Sequence, residues 1–551
     1  MGFEHFRNLV KKICNPLKGR FFFVILVLNL VSNFVWLRHG RGWTTIVGII
    51  GCSAFIAYVE SVIIGKVKAR QWRCTIQALL IIIHNIFIVC EYFLLLNFQM
   101  VISQEVTDIL VETNPSEASN FLHSYLNVGK VTLYIGCIFL FNILLIKGSK
   151  YIRTRNWGQW MMPLVMVGMF FYAYCGYGFL RFRDGMNIPQ YTTLTRTGYA
   201  FYLLKDKAKT IKKLTETCQR VKAVTTIKQK PAIVVIVGES FSVYHSSLYG
   251  YNKLTNPLLQ QHKDNGNLII MDDVLTLHDG TTASMSADFS LSSMGKDYTE
   301  KALWPVCFKK AGWHTEMYDN QYFVGAGLSF LTDKTLSALM FDKRNNERFS
   351  FDGDMVQTIQ ICDMPALYVI HLWGQHYEYA QRYPKQFAKF KPSDYDMQWN
   401  EEQRQIIAHY DNATLYNDWV INQIIRKFSS EDCLIIYFSD HGEEIYETRD
   451  YMGHGNAETA PNLNYQIRIP FMVWASSTYM EHHTEKWQRI LRAKHYRMTT
   501  DDVGHALLDI ADISTKDFEP TRSFINDRYH NSSHRIVLHS VDYDKEWWSK
   551  R

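Results

Sequence analysis

Ala232-Ile233-Val234-Val235-Ile236-Val237-Gly238-Glu239-Ser240 is the stretch on which the fold turns. An unbroken β-branched run of this kind suits a strand buried on both faces of a parallel sheet. Its carboxyl end carries a carboxylate and a hydroxyl, which a purely structural strand has no need of. Similar apolar runs recur at Leu268–Asp272, Thr315–Tyr318, Ala366–Ile370, Cys433–Phe438 and Arg468–Trp474, with helical or loop stretches between them. This rhythm predicts an α/β domain over 231–551 with a mostly parallel, helix-covered sheet. In such sheets function collects in the loops beyond the carboxyl ends of the strands.

Those loops hold related chemistry. The first run ends in Glu239-Ser240, the fifth in Ser439-Asp440-His441-Gly442, and the fourth in His371, with Gly374 and His376 just beyond. Gly453-His454-Gly455 follows the fifth. Two carboxylates and a histidine converging from separate strand ends suit zinc, which takes oxygen and nitrogen ligands in a tetrahedral array. Between the first and fourth runs lies Asp279-Gly280-Thr281-Thr282-Ala283-Ser284, a small hydroxyl-rich turn. A threonine hydroxyl becomes a competent nucleophile only when it is activated, and a metal can do that. Each element alone has an ordinary structural reading, as a cap, a turn or a core histidine. Their recurrence at successive strand ends favours the chemical one.

Upstream of residue 180 the chain changes character. A bilayer core about 30 Å thick needs roughly 20 apolar residues as a helix. Phe21–Leu37, Trp43–Gly65, Thr75–Phe98, Val131–Ile146 and Trp160–Leu180 are candidate crossings. Basic residues crowd the N-terminus (Arg7, Lys11, Lys12, Lys18, Arg20), the loop after the second crossing (Lys66, Lys68, Arg70, Arg73) and the loop after the fourth (Lys147, Lys150, Arg153, Arg155). The loop between the third and fourth is acidic, with Glu105, Asp108, Glu112 and Glu117. The positive-inside rule then places the N-terminus in the cytoplasm and everything after residue 180 outside, with Arg38 and Arg41 dissenting. Glu60, His84 and Glu91 lie within crossings and read either as a proton or ion relay or as groups facing a bundle interior. Residues 199–222 carry Leu204, Ala208, Ile211, Thr215, Cys218 and Val221 at helical spacing, among lysines. Such a helix suits an anionic membrane interface, or the surface of the outer domain.

Composition agrees with two unlike parts. The chain of 551 residues is 47% hydrophobic and 20% charged with a net charge of +6, which excludes a disordered chain and gives no support to a nucleic-acid surface. Its mean hydropathy of −0.15 averages an apolar N-terminal part with a polar remainder. Of the ten cysteines, Cys218, Cys307, Cys362 and Cys433 lie in the outer part without a tight pairing pattern.

Taken together, these residues resemble the bacterial phosphoethanolamine transferases of the alkaline phosphatase/sulfatase superfamily. The resemblance rests on Val237-Gly238-Glu239-Ser240 continuing to Gly250-Tyr251 and Thr255-Asn256-Pro257-Leu258, on His371 to His376 and Arg382-Tyr383-Pro384, and on Tyr410-Asp411-Asn412-Ala413. It extends through Ser439-Asp440-His441-Gly442-Glu443 and Gly453-His454-Gly455 to Ile469-Pro470-Phe471. It implies a transmembrane domain of five helices over 1–180, a bridging segment with an amphipathic interfacial helix over 181–230, and a periplasmic sulfatase-like catalytic domain over 231–551. Glu239, Asp440 and His441 match zinc ligands. The nucleophile, itself a ligand, falls in Gly280-Thr281-Thr282, with Thr282 favoured because Ala283 follows it and Thr281 as the alternative. His376 and His454 match histidines that bind the phosphoryl group or protonate the leaving group. The implied cofactor is one tightly bound zinc, the arrival of a second during turnover being left open. The implied donor is phosphatidylethanolamine, and the acceptor is lipopolysaccharide or a periplasmic glycan.

Two departures bear on the acceptor and the chemistry. Lipid A-modifying members flank the nucleophile with a disulfide-bonded cysteine pair, and this chain has Asp279 and Asp288 nearby instead. The Cys/Ser-x-Pro-x-Arg motif of true sulfatases does not surround Thr282, which disfavours sulfate ester hydrolysis. The competing readings are a phosphoglycerol transferase using phosphatidylglycerol, which Thr255-Asn256-Pro257 speaks against, and a transporter or sensor with a ligand-binding outer domain.

Overall fold

The computed structural model describes residues 2–546 apart from 39–42, 99, 104–105, 108–109, 111–127, 151–156, 183–190, 323–328 and 532–533. The acidic loop residues Glu105, Asp108, Glu112 and Glu117, and Arg41, Arg153 and Arg155, lie outside the described residues. The chain forms two compact units, 1–207 and 208–551.

The first unit is helical: α1 (Gly2–Cys14), α2 (Arg20–Asn33), α3 (Trp43–Gly65), α4 (Arg70–Phe98), α5 (Val128–Ser149), α6 (Trp157–Phe182) and the start of α7 (Thr193–Gln219). Among the described residues three stretches are long and apolar enough to cross a membrane: Arg20–Leu37, Trp43–Gly65 and Arg70–Asn97. Gly136–Ser149 and Met161–Tyr174 are shorter apolar helical stretches. Helices α3 and α6 approach closely through glycine, since a Cβ on Gly168 would lie 2.0 Å from the Gly51 carbonyl oxygen.

The three ionisable groups singled out in the candidate crossings are paired inside the protein. His84 Nε2 lies 3.1 Å from both carboxylate oxygens of Glu60. Glu91, fully buried, pairs with Arg196 and accepts hydrogen bonds from Thr193 Oγ1 at 2.8 Å and the Ile102 amide at 3.1 Å. Pairing of this kind is what a low-dielectric interior demands of a charge, so the bundle-interior reading accounts for these residues.

The second unit is built on a seven-stranded sheet: β1 (Ala232–Gly238), β2 (Leu268–Ile270), β3 (His314–Asp319), β4 (Lys343–Arg344), β5 (Ala366–His371), β6 (Cys433–Ser439) and β7 (Phe471–Ala475). The order is β2-β7-β6-β1-β5-β3-β4. Pairing is parallel except at β7, which runs antiparallel to both β6 and β2. Apolar side chains on the two faces feed two separate cores, Val235 and Val237 on one side and Val234 and Ile236 on the other. That two-sided burial is why β1 is apolar throughout.

The bridging segment needs correction. Leu214, Cys218 and Val221 of α7 and the following turn are buried in the core of the second unit, and Ala223–Thr225 pairs with Ile513–Thr515. From Ile211 to Val221 the apolar face is covered by the outer domain, one of the two readings the spacing allowed, while Ala208 is exposed; helical periodicity records that a face is buried but not by what.

Candidate active site

Sheet register assembles the site. Gly238 pairs with Ser439, Val237 with His371, and His371 with Asp319. The next residues of β1 and β6, Glu239 and Asp440, therefore emerge side by side at the centre of the sheet's carboxyl edge, where neighbouring strands are about 4.8 Å apart.

Glu239, Asp440 and His441 are fully buried, and one ligand atom from each lies within 4.8 Å of the others. His441 Nε2 is 3.2 Å from Glu239 Oε1 and 3.4 Å from Asp440 Oδ2. The other ring nitrogen, Nδ1, donates to the Gly442 carbonyl at 2.8 Å, so Nε2 is the nitrogen turned to the carboxylates and, once its proton leaves, the one with a lone pair for a cation. Asp440 Oδ1 accepts the amides of Ser240 and His441, whereas Oδ2 makes no hydrogen bond. The two carboxyls are pushed apart electrically. Burial would raise Glu239, but the charges of His441, His376 and His454 hold it well below the usual range. Burial, and then Glu239 beside it, push Asp440 well above. Two acids and an imidazole nitrogen aimed at one dry point, with a carboxylate oxygen left over, form a donor set that fits a divalent cation.

Thr281 opens α8 (Thr281–Phe289), with Gly280 at the N-cap. Its Oγ1 lies 3.1 Å from Glu239 Oε2 and 3.2 Å from His441 Nε2. Thr282 instead directs its hydroxyl to Tyr322 OH at 3.3 Å. Of the two threonines it is therefore Thr281, the alternative, and not the favoured Thr282, that stands beside Glu239 and His441. Successive residues of a helix point about 100° apart, so only one of the pair can face the carboxylates.

His454 is held at Nδ1 by Glu443 Oε2 at 2.6 Å, and its ring centre lies 4.0 Å from that of His441. The other Glu443 oxygen accepts from Tyr379 OH at 2.5 Å. His376, half-buried after β5, is near enough for its charge to act on Glu239. His371 is not a member of the carboxylate cluster: it is fully buried against Asp319 at 3.0 Å. Thr255 and Asn256 are spent on loop geometry, bonding the His245 carbonyl and the Ser246 and Ser247 side chains.

Some residues here had no signal in the sequence, and others lay in motifs that gave them no role. Gln321 Nε2 reaches Glu239 Oε2 at 3.0 Å, His371 Nε2 at 3.1 Å and the Leu372 carbonyl at 2.8 Å. Tyr410, in α9 (Glu401–Phe428), hydrogen-bonds across the turn that follows Glu239. Glu443 and Gly442 sat inside a quoted motif without a role. A Cβ on Gly442 would lie 2.3 Å from the Tyr465 carbonyl oxygen, so only glycine fits between the ligand loop and its neighbour.

Residues 231–513, from the strand that leads to Glu239 to beyond His454, match the sulfatase family. The chain belongs to that family. Within the sulfatase family its relatives bear out the resemblance drawn from the motifs. It is 26% identical over 480 residues to phosphoethanolamine transferase EptC of Escherichia coli K12, covering 79% of each chain. The zinc complex of the periplasmic domain of EptC from Escherichia coli superposes with a TM-score of 0.53 at 27% identity, over 59% of this chain and 96% of that one. Integral membrane EptA from Neisseria meningitidis shares the fold over 92% of this chain and 96% of its own, with a TM-score of 0.61 at 16% identity.

Proposed function

We propose that the protein is an inner-membrane, zinc-dependent phosphoethanolamine transferase with five crossings, a cytoplasmic N-terminus and a periplasmic catalytic domain. Glu239, Asp440, His441 and Thr281 would hold the zinc. Zinc bound there would neutralise charge on a phosphoryl oxygen and favour the alkoxide of a coordinated hydroxyl. Thr281 Oγ1 attacks the phosphorus of phosphatidylethanolamine, the bond to the diacylglycerol oxygen breaks, and the phosphoethanolamine group stays on Thr281. His454, aligned by Glu443, gives a proton to the departing oxygen, and His376 faces the phosphoryl group. An acceptor hydroxyl or phosphate on lipopolysaccharide or a periplasmic glycan then attacks the same phosphorus and releases Thr281. Splitting the displacement means that two large partners need not occupy the site together.

The observation that carries this reading is the Thr281 hydroxyl at 3.1 and 3.2 Å from Glu239 and His441. Incubation of the full chain with phosphatidylethanolamine and no acceptor is expected to add one phosphoethanolamine to the peptide containing Thr281. Thr281→Ala abolishes the adduct, whereas Thr282→Ala retains it. An adduct that survives Thr281→Ala rejects the assignment, and one that forms only from phosphatidylglycerol makes the protein a phosphoglycerol transferase.

A further inference from the structure

Beside the ligand turn, Tyr244, Tyr249, Tyr251, Asn252 and Arg468 line a cavity of about 410 Å³. That size falls at the lower end of small-ligand sites. Its aromatic walls are fixed from behind. Tyr249 OH donates to the Phe471 carbonyl at 3.1 Å and accepts from the Phe471 amide at 2.8 Å. Tyr251 OH donates to Asp411 Oδ2 at 2.7 Å. With both hydroxyls turned into the protein, these two residues offer the cavity their rings. Tyr244 packs on Tyr465 with ring centres 4.4 Å apart, which holds the third wall.

The cation on this cavity's wall is Arg468. Arg468 Nη2 donates to the Asp272 carbonyl at 3.2 Å, and no carboxylate among the described residues forms an ion pair with this guanidinium. A guanidinium is a rigid fork matched to phosphate or carboxylate oxygens. Flat tyrosine rings, held without loss of rotamer freedom, suit the C–H faces of a sugar ring. The cavity is also joined to the chemistry by short chain paths. Tyr244 stands five residues past Glu239, and the Gly442 amide, next to His441, donates to Gln466 O at 2.8 Å, one residue past Tyr465.

We propose that this cavity is a subsite for an anionic sugar unit of the acceptor, with Arg468 pairing to its phosphate or carboxylate and the tyrosines packing against its ring. As an acceptor subsite it rests on the transferase reading above. As a binding site it can be tested without that reading.

The test is calorimetric titration of the full chain in detergent with glucose 6-phosphate, glucuronate and methyl glucoside. Glucose 6-phosphate and glucuronate report whether phosphate or carboxylate is preferred, and methyl glucoside reports the ring alone. Binding of at least one anionic sugar is expected, at least tenfold tighter than methyl glucoside. Arg468→Ala is expected to weaken it tenfold or more, with Arg468→Lys intermediate because it keeps the charge and loses the fork. Tyr244→Ala supplies a second, independent loss should Arg468→Ala perturb the fold. Glu239→Ala, which strikes the metal ligands, is expected to leave this binding intact. Equal affinity in Arg468→Ala and wild type, or binding lost in Glu239→Ala but kept in Arg468→Ala, overturns the proposal. Formation of the Thr281 adduct by the wild type, measured in parallel, tests the transferase reading alone, so the two failures are told apart.

Discussion

Tyr410→Phe removes one oxygen that touches neither metal ligand nor substrate, yet its consequences at the site are calculable. Ser240, immediately after Glu239, has a φ of 56°, a left-handed backbone that costs a non-glycine residue about 1–2 kcal/mol. The Tyr410 hydroxyl spans this turn, accepting the Ser242 amide at 3.0 Å and donating to the Ser240 carbonyl. Tyr410 and Ser240 are both fully buried, so water cannot replace the lost oxygen. Two orphaned backbone groups cost about 1–3 kcal/mol each, and relaxation of the strained turn returns part of that. A net loss of about 3 kcal/mol lowers the melting temperature of the second unit by roughly 5 °C. The relaxing turn carries the Glu239 carboxylate with it. Zinc affinity, measured by chelator competition, is therefore expected to fall about 10- to 100-fold, the usual effect of removing support behind a ligand. A variant with unchanged melting and unchanged zinc affinity would show that the turn holds itself, and would refute the reasoning.

Two further predictions concern residues near Thr281, the proposed nucleophile. Glu443→Gln keeps the shape but removes the carboxylate behind His454, so the rate of Thr281 adduct formation is expected to drop about 10²-fold with zinc content unchanged; a rate within twofold of wild type would dismiss the Glu443–His454 pair as a proton donor. Asp288, on the same helix as Thr281, is fully buried and neither of its oxygens has a well-formed hydrogen bond. Burial raises its pKa well above that of an ordinary carboxylate, Thr500 offsetting only part of this. The folded state then holds a proton that the unfolded state releases near pH 4, so stability is full below that point and declines as pH climbs toward the folded-state value. Asp288→Asn abolishes the decline, and the variant's melting temperature should gain on wild type between pH 5 and pH 8; a gap that stays constant across that range contradicts it.

How much of this was legible in the sequence differs from element to element. Ala232–Val237 and Cys433–Phe438 could be placed within a residue, because strands buried on both faces have to be apolar throughout. The run read as starting at Arg468 joins the seven-stranded sheet only at Phe471, Arg468 itself bridging to Leu275, since Pro470 has no amide to donate to a ladder. Lys343–Arg344, two charged residues at the sheet edge, carries no hydrophobic pattern to read. The acids and histidines of the site were visible because their strand ends are local features. The choice between Thr281 and Thr282 was not, because it depends on the rotational phase of a helix whose start the spacing leaves undetermined. Gln321, Tyr379 and Tyr410 act across sequence distances that only the assembled sheet closes.

The pairing of Glu91 with Arg196 has a consequence for how the chain is made. The two are 105 residues apart, and the carboxylate is synthesised first. At translation rates of about 5–20 residues per second, the guanidinium follows roughly 5–20 s later. Throughout that interval α4 carries an acid whose partner does not yet exist, in its last two turns, where the burden is less than the roughly 3 kcal/mol of a charge at the centre of an inserting helix. The apolar remainder of α4 has to hold it against the translocon until α7 emerges. A chain ending before residue 196 leaves the bundle with an interior carboxylate that lacks its guanidinium.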